Sequence, residues 1–129
     1  MVNPESFEII VLPESFHITS TNMHGSIWVT DGKNHFPEEN WDDFVIVVLG
    51  WWITTVLSLI DGVNNNSDMQ FMDGSFHIRI IADEGVWKLE CIAGYINRES
   101  IEHIFEASRL NFFRVWKTQP RKQSNDVAN

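Results

Sequence analysis

An uncharged run over residues 44–60 is the feature that most constrains how this chain of 129 residues can fold. Asn40 is a favoured N-cap residue, and Asp42 and Asp43 would lie in the first turn, beside the positive end of the helix dipole. Gly62 stands where the glycine that ends a helix is expected. It therefore predicts a helix over residues 41–60.

The same run must be weighed as a membrane span, because seventeen residues lie at the short limit for crossing a bilayer. No lysine or arginine flanks it to set an orientation, and the pair Trp51-Trp52 stands at its centre rather than at an interface. We interpret it as a nearly fully buried core helix with no membrane role. Such a helix should be covered by a sheet and by a second helix or another subunit.

Strands are predicted on both sides of this helix. Three short ones precede it, over residues 7–12, 15–21 and 27–30, with Pro13 closing the first. After it, apolar residues alternate with polar ones on either side of a turn at residues 83–85, which predicts a hairpin. Its inward residues would be Phe76, Ile78 and Ile80, then Trp87, Leu89, Cys91 and Ala93.

A second helix is predicted from Asn97 or Ser100 to about Lys117. Its apolar positions fall on one helical face: Ile101, Ile104, Phe105, Ser108, Phe112, Val115 and Trp116. Residues 119–129 are predicted to be a disordered tail. The expected fold is a single α+β domain over residues 1–118, with an antiparallel sheet packed against two helices.

Charge is the most informative bulk property. The formal net charge is −9, and residues 1–78 contain eleven acidic side chains and one basic side chain, Lys33. An acidic surface can steer a basic protein into contact, although solubility alone would also explain it. Nucleic-acid binding is not expected, since it needs a basic patch.

Chemical motifs point away from catalysis and from cofactors. The five histidines form no zinc-binding spacing, and no phosphate-binding loop or nucleophile elbow is present. Cys91 is predicted to be a core thiol. His103 and Glu106 could share a ligand on one helical face, but an exposed polar face is the simpler interpretation. We therefore expect no enzyme activity, no metal site and no cofactor.

One acidic cluster is the candidate partner-binding site: Asp31, Glu38, Glu39, Asp42 and Asp43. As helix-capping and solvated residues they would need no function at all. They lack the Asp-x-Asp-x-Asp-Gly spacing of a calcium loop. A surface that contacts another protein is the functional alternative.

Three stretches, over residues 36–44, 49–52 and 71–76, resemble small bacterial proteins of the toxin-immunity type. The resemblance covers roughly residues 36–93 and is carried by Phe36-Pro37-Glu38-Glu39-Asn40-Trp41-Asp42-Asp43-Phe44, Leu49-Gly50-Trp51-Trp52 and Phe71-Met72-Asp73-Gly74-Ser75-Phe76. It implies an acidic domain that binds and neutralises a secreted toxin inside the producing cell, of the contact-dependent inhibition or polymorphic-toxin kind.

The expected function is therefore an immunity protein that binds a cognate toxin, a basic protein such as a nuclease. The N-terminus shows no signal peptide and the single cysteine permits no intrachain disulfide, so a cytoplasmic location is expected. The alternative is a small-molecule or peptide-binding α+β module without catalysis. A third interpretation is self-association through the apolar helix, which would make the chain a homo-oligomer.

Overall fold

The computed structural model describes residues 6–83, 85–95, 97–108 and 116–118. Within these ranges the chain forms nine strands and one helix. In chain order they are β1 (Glu8–Thr19), β2 (Asn22–Thr30), β3 (His35–Phe36), β4 (Asp42–Asp43), α1 (Val45–Ile60), β5 (Asn66–Gln70), β6 (Phe76–Ala82), β7 (Val86–Ala93), β8 (Ser100–Ser108) and β9 (Trp116–Thr118).

The strands form two sheets. Sheet A has the order β3-β2-β1-β9, and β4 also pairs with β2. Its pairings are antiparallel except that of β1 with β9. Sheet B is an antiparallel meander in the order β5-β6-β7-β8.

One hydrophobic core joins the two sheets and the helix. The ring of Phe7, just before β1, lies 5.8 Å from that of Phe105 on β8. Two side-chain hydrogen bonds fasten α1 to β5: Trp52 Nε1 donates to the Gln70 carbonyl at 2.7 Å, and Thr55 Oγ1 donates to the Asp68 carbonyl at 2.8 Å. The largest fully buried side chains are Trp52, Phe7, Phe71, Phe105, Ile9, Ile27, Met69, Ile78, Ile80, Leu89 and Val29.

The predicted second helix is wrong. Residues 100–108 form β8, which pairs with β7 along its length, and residues 116–118 form β9. The intervening residues 109–115 lie outside the described part of the chain, as does the predicted tail. The pairing register shifts beside Glu102, where one extra residue on β8 faces β7. The bulge shifts the alternation of inward and outward residues along β8 by one position. The apolar residues on either side of it are therefore three or four residues apart, which is also the spacing of a helix face.

The first helix is confirmed in its body but not in its start or its burial. It begins at Val45 rather than Trp41, because Asp42 and Asp43 pair with β2 instead. Asn40 is not its N-cap and has a φ of 65°. Only one face is buried, through Val45, Val48, Trp52, Val56 and Leu59. The prediction of a nearly fully buried helix is therefore wrong.

The strand predictions agree with the structure more closely than the helix predictions do. The β6–β7 hairpin is confirmed, with Ile78, Ile80, Leu89 and Cys91 all fully buried. The first two predicted strands merge into β1, which continues past Pro13 through an irregularity in its pairing with β2. There Ser15 Oγ donates to the Leu12 carbonyl at 2.5 Å and accepts from the Ser26 amide at 2.7 Å. The Ser15 hydroxyl thus provides hydrogen bonds where the backbone pairing of β1 with β2 is interrupted.

Of the residues that the structure describes, no segment forms a helix with the length and apolar character that a bilayer crossing requires.

Candidate binding surface

The loop that carries the predicted acidic cluster begins at a tight turn after β2. Asp31 Oδ1 accepts hydrogen bonds from the amides of Lys33 at 2.9 Å and Asn34 at 2.8 Å. Burial alone would raise the pKa of Asp31, but these amide hydrogen bonds outweigh it and lower the pKa below its ordinary value. The carboxylate therefore shapes the turn and stays ionised.

Glu38 and Glu39 are the most accessible members of the cluster. Both are exposed and follow a cis peptide bond between Phe36 and Pro37. Glu39 Oε1 lies 3.9 Å from His35 Nε2, a long and solvent-exposed ion pair that contributes little to stability. Their charges are therefore directed into solvent, where a partner could meet them.

The adjacent aspartates of β4 point in opposite directions, as successive residues of a strand do. Asp42 is about half exposed, and Asp43 is 5% exposed. Asp43 Oδ2 accepts from Trp41 Nε1 at 2.9 Å and from the Met72 amide at 3.3 Å, and its Oδ1 accepts from the Phe44 amide at 2.7 Å. Asp43 thus lies beneath the surface that the rest of the cluster forms.

A groove on the outer face of sheet A extends the acidic surface. We call it the acidic groove: a depression of about 410 Å³ bordered by the carboxylates of Glu8, Glu14 and Glu39, with Ile10, Trp28 and His35 among its other lining residues. The groove combines negative charge with an apolar base, as a surface for cationic side chains requires.

Strand pairing creates this groove. Glu8 lies opposite Thr30 and Ile10 opposite Trp28, so alternate residues of β1 and β2 face the same side. Trp28 Nε1 donates to His35 Nδ1 at 3.1 Å, which fixes the indole against β3. Because the indole can only donate, the proton of a neutral His35 ring is on Nε2, on the side of Glu39. The base of the groove is therefore held in place by hydrogen bonding.

Sequence reasoning did not identify Glu8, Glu14, Trp28 and His35 as residues that line one groove. Glu8, Ile10 and Leu12 lie two residues apart and share one face of β1, so Glu8 was a sign that this face carries charge as well as apolar side chains. What the sequence could not show was the register that brings Glu8 and Glu14 to the same face as Glu39. That register comes from pairings between residues about twenty positions apart.

The fold also bears on two other candidates from the sequence, the Cys91 thiol and the pair His103 and Glu106. Cys91 is buried, and desolvation together with the charge of Asp31 raises the pKa of its thiol, so the nucleophilic thiolate is disfavoured. His103 and Glu106 lie on a strand, three residues apart, and so face opposite sides. The alternative of a ligand shared between them on one helical face is therefore wrong.

The solvent face of α1 is a separate apolar surface that was not predicted. Ile46, Val47, Trp51, Ile53 and Leu57 are each between 39% and 58% exposed. Next to it, Trp51 and Thr54 line a shallow depression of about 440 Å³ together with Asp68 and Gln70. Contiguous exposed apolar residues of this kind are typical of contact surfaces or ligand-binding clefts.

No protein-family model, curated protein or solved structure matches this chain.

Proposed function

We propose that this chain is a non-catalytic binding protein that captures a basic protein, in the manner of a cytoplasmic immunity protein that neutralises a toxin. The acidic groove and the adjoining Glu38 form the core of the contact surface. The observation that carries the proposal is that β1 and the loop after β3 bring the carboxylates of Glu8, Glu14 and Glu39 around one groove.

Electrostatics support a fast association with such a partner. Residues 1–78 have a net charge of −10, and they contain all of the groove. Like charges held together on a rigid sheet produce a local potential that raises the encounter rate with a cationic partner by about 10–1,000-fold at low salt. Rapid capture is what neutralising a toxin inside its own producer requires.

The surface also has a base that can contact a bound side chain. Trp28 lines the groove beside Ile10, so an arginine or lysine that enters could place its aliphatic stem on apolar surface and its charge among the carboxylates. An extended basic loop of a partner matches these features better than a flat contact would. A nuclease toxin would present such loops, since it must attract phosphates.

The first test identifies the partner. The tagged full chain is used as bait in lysate of cells that naturally produce it, at about 50 mM and 300 mM NaCl, and bound proteins are identified by mass spectrometry. A basic protein retained at low salt and weakened at high salt is the expected result. The partner's toxicity should disappear when the two are expressed together. Retention of acidic proteins alone would contradict the proposal.

Charge reversal at the groove then tests the surface. The variant Glu14→Lys/Glu38→Lys/Glu39→Lys is expected to associate with that partner about 10–100-fold more slowly, because the local potential is inverted. Association rates are measured by biolayer interferometry at several salt concentrations. Asp31, Asp42 and Asp43 are left unchanged, since each of them has a hydrogen-bonding role within the fold.

A matched control keeps the total charge change constant. The variant Asp61→Lys/Asp83→Lys/Glu99→Lys alters three carboxylates that are also exposed but do not line the groove. Its association rate should fall far less than that of the groove variant. Equal losses for the two variants would mean that only net charge matters, and the groove would not be the contact surface.

The depression beside Trp51 favours a second candidate, a module that binds a small apolar molecule or peptide. Its volume of about 440 Å³ falls within the range of ligand sites. A ligand there would change tryptophan fluorescence without strong dependence on salt, and Trp51→Phe would remove that change. Salt dependence therefore separates this candidate from the first.

A further inference from the structure

Two histidines and an aspartate meet on three neighbouring strands, outside the acidic groove. His17 on β1 and His24 on β2 are direct partners in the ladder, and their rings stack with centroids 5.4 Å apart. On the other side of β2, Asp42 pairs with Ser26, so it shares a face with His24. The distance from His24 Nδ1 to Asp42 Oδ2 is 3.1 Å.

Hydrogen bonding fixes which ring nitrogens can bind an ion. His17 Nδ1 lies 3.0 Å from the Ser15 carbonyl oxygen, which can only accept, so Nδ1 carries the proton and Nε2 presents its lone pair. His24 Nδ1 lies beside the Asp42 carboxylate and carries the proton of a neutral ring when no metal is bound. A bound ion would take the place of this proton between the two residues, and the ring proton would then be on Nε2. A metal-binding histidine usually donates its other N–H to a carbonyl or carboxylate, as His17 does to the Ser15 carbonyl.

We propose that His17, His24 and Asp42 form a binding site for a divalent transition-metal ion, with Zn²⁺ as its best match. One donor atom from each residue lies within 4.8 Å of the other two. Ligand atoms around tetrahedral zinc are about 3.4 Å apart, so small side-chain rotations close the site. His17 and Asp42 are exposed, so there is room for these rotations.

The ligand set selects the class of metal. Two imidazole nitrogens with a carboxylate suit Zn²⁺ and its neighbours, whereas Ca²⁺ and Mg²⁺ prefer oxygen ligands alone. A depression of about 220 Å³ lined by His24, Asp42 and Asp73 adjoins the cluster and leaves room for water to complete the coordination. The surrounding negative charge of residues 1–78 also favours a cation.

A bound ion would link β1 and β2, and Asp42 would extend this link to β4 at the entrance of α1. The ion would bind the folded chain better than the unfolded one. The melting temperature should therefore rise in proportion to the logarithm of the ion concentration. This inference does not depend on the identity of any protein partner. It is tested on the protein alone.

Isothermal titration calorimetry with ZnCl₂ is the direct test, using the full chain without a polyhistidine tag and after chelator treatment. One Zn²⁺ per chain is expected, with no saturable binding of Ca²⁺ under the same conditions. In histidine-selective NMR spectra the ring signals of His17 and His24 should move, while those of the other three histidines stay in place. Absence of Zn²⁺ binding would overturn the proposal.

Variants assign the ligands. His17→Ala/His24→Ala should abolish the saturable binding, and Asp42→Asn should weaken it by about 10–100-fold. His103→Gln is the control, because it removes a histidine from outside the cluster and should leave the affinity unchanged. All variants are compared by melting temperature without metal, to confirm that they fold. Zn²⁺ binding by the double variant with wild-type affinity would show an adventitious ion only and would overturn the assignment.

Discussion

Replacing Trp52 by alanine is expected to lower the free energy of unfolding by about 3–5 kcal/mol. The Trp52 side chain is fully buried, its ring meets that of Phe71 edge-on at 5.2 Å, and its Nε1 donates to the Gln70 carbonyl. The substitution leaves a large cavity and removes a hydrogen bond that joins α1 to sheet B. Since a domain of this size is stable by about 5–15 kcal/mol, the loss is severe.

Trp51 supplies the matched control, because it is the same residue type one position earlier in the same helix. Its side chain is 43% exposed, so Trp51→Ala should cost less than about 1 kcal/mol. Urea denaturation followed by circular dichroism measures both variants without relying on tryptophan signals. Comparable losses for the two would contradict the burial of one helix face and the exposure of the other.

Removing the Asp43 carboxylate is expected to have the second largest effect, about 2–3 kcal/mol for Asp43→Ala. Three donors would lose their shared acceptor: the Trp41 indole and the amides of Phe44 and Met72. These bonds connect β4, the start of α1 and the segment after β5. Asp43→Asn should recover only part of the loss, because its amide nitrogen would face at least one of these donors.

Asp42 is the control for this experiment, since it carries the same carboxylate on the opposite side of the same short strand. Asp42→Ala should change the free energy of unfolding little in metal-free buffer, because the pairing with His24 is exposed. Thermal and urea unfolding measure both. If Asp42→Ala proved as damaging as Asp43→Ala, the inward hydrogen bonds would not be what makes residue 43 important.

Regular periodicity made part of the fold predictable. The body of α1 and the β6–β7 hairpin followed from local patterns, because each has an uninterrupted apolar period. The start of α1 did not follow from a local pattern. Asn40 and the two aspartates suit a helix N-terminus locally, but the Ile27 amide donates to the Trp41 carbonyl at 2.8 Å and β4 pairs with β2. Pairing with β2, which is distant in sequence, therefore overrides the local preference of residues 40–43 for a helix N-terminus.

The structure of β8 also could not be predicted from local sequence. Its bulge beside Glu102 shifts the alternation, so Ile101 and Ile104 are both exposed while Phe105 and Ala107 are buried. No local feature marks the bulge. It becomes evident only from the pairing of β8 with β7.

The acidic character of the loop over residues 31–43 was predictable, whereas the residues that lie beside it were not. The loop over residues 31–43 does carry exposed acidic side chains, as charge alone indicated. The inward direction of Asp43 and the contribution of Glu8 and Glu14 depend on strand pairing. The proximity of His17, His24 and Asp42 also needed the register of β1, β2 and β4, which no spacing in the sequence reveals.

The opposite directions of Asp42 and Asp43 have a consequence for how such a protein can change. Within a strand of two residues, one side chain faces solvent and the next makes hydrogen bonds in the interior. The glutamates before it can be exchanged without disturbing the hydrogen bonds beneath them. The exposed positions of this loop can therefore accept substitutions that leave the scaffold intact, which is what a change of partner at the proposed contact surface would need.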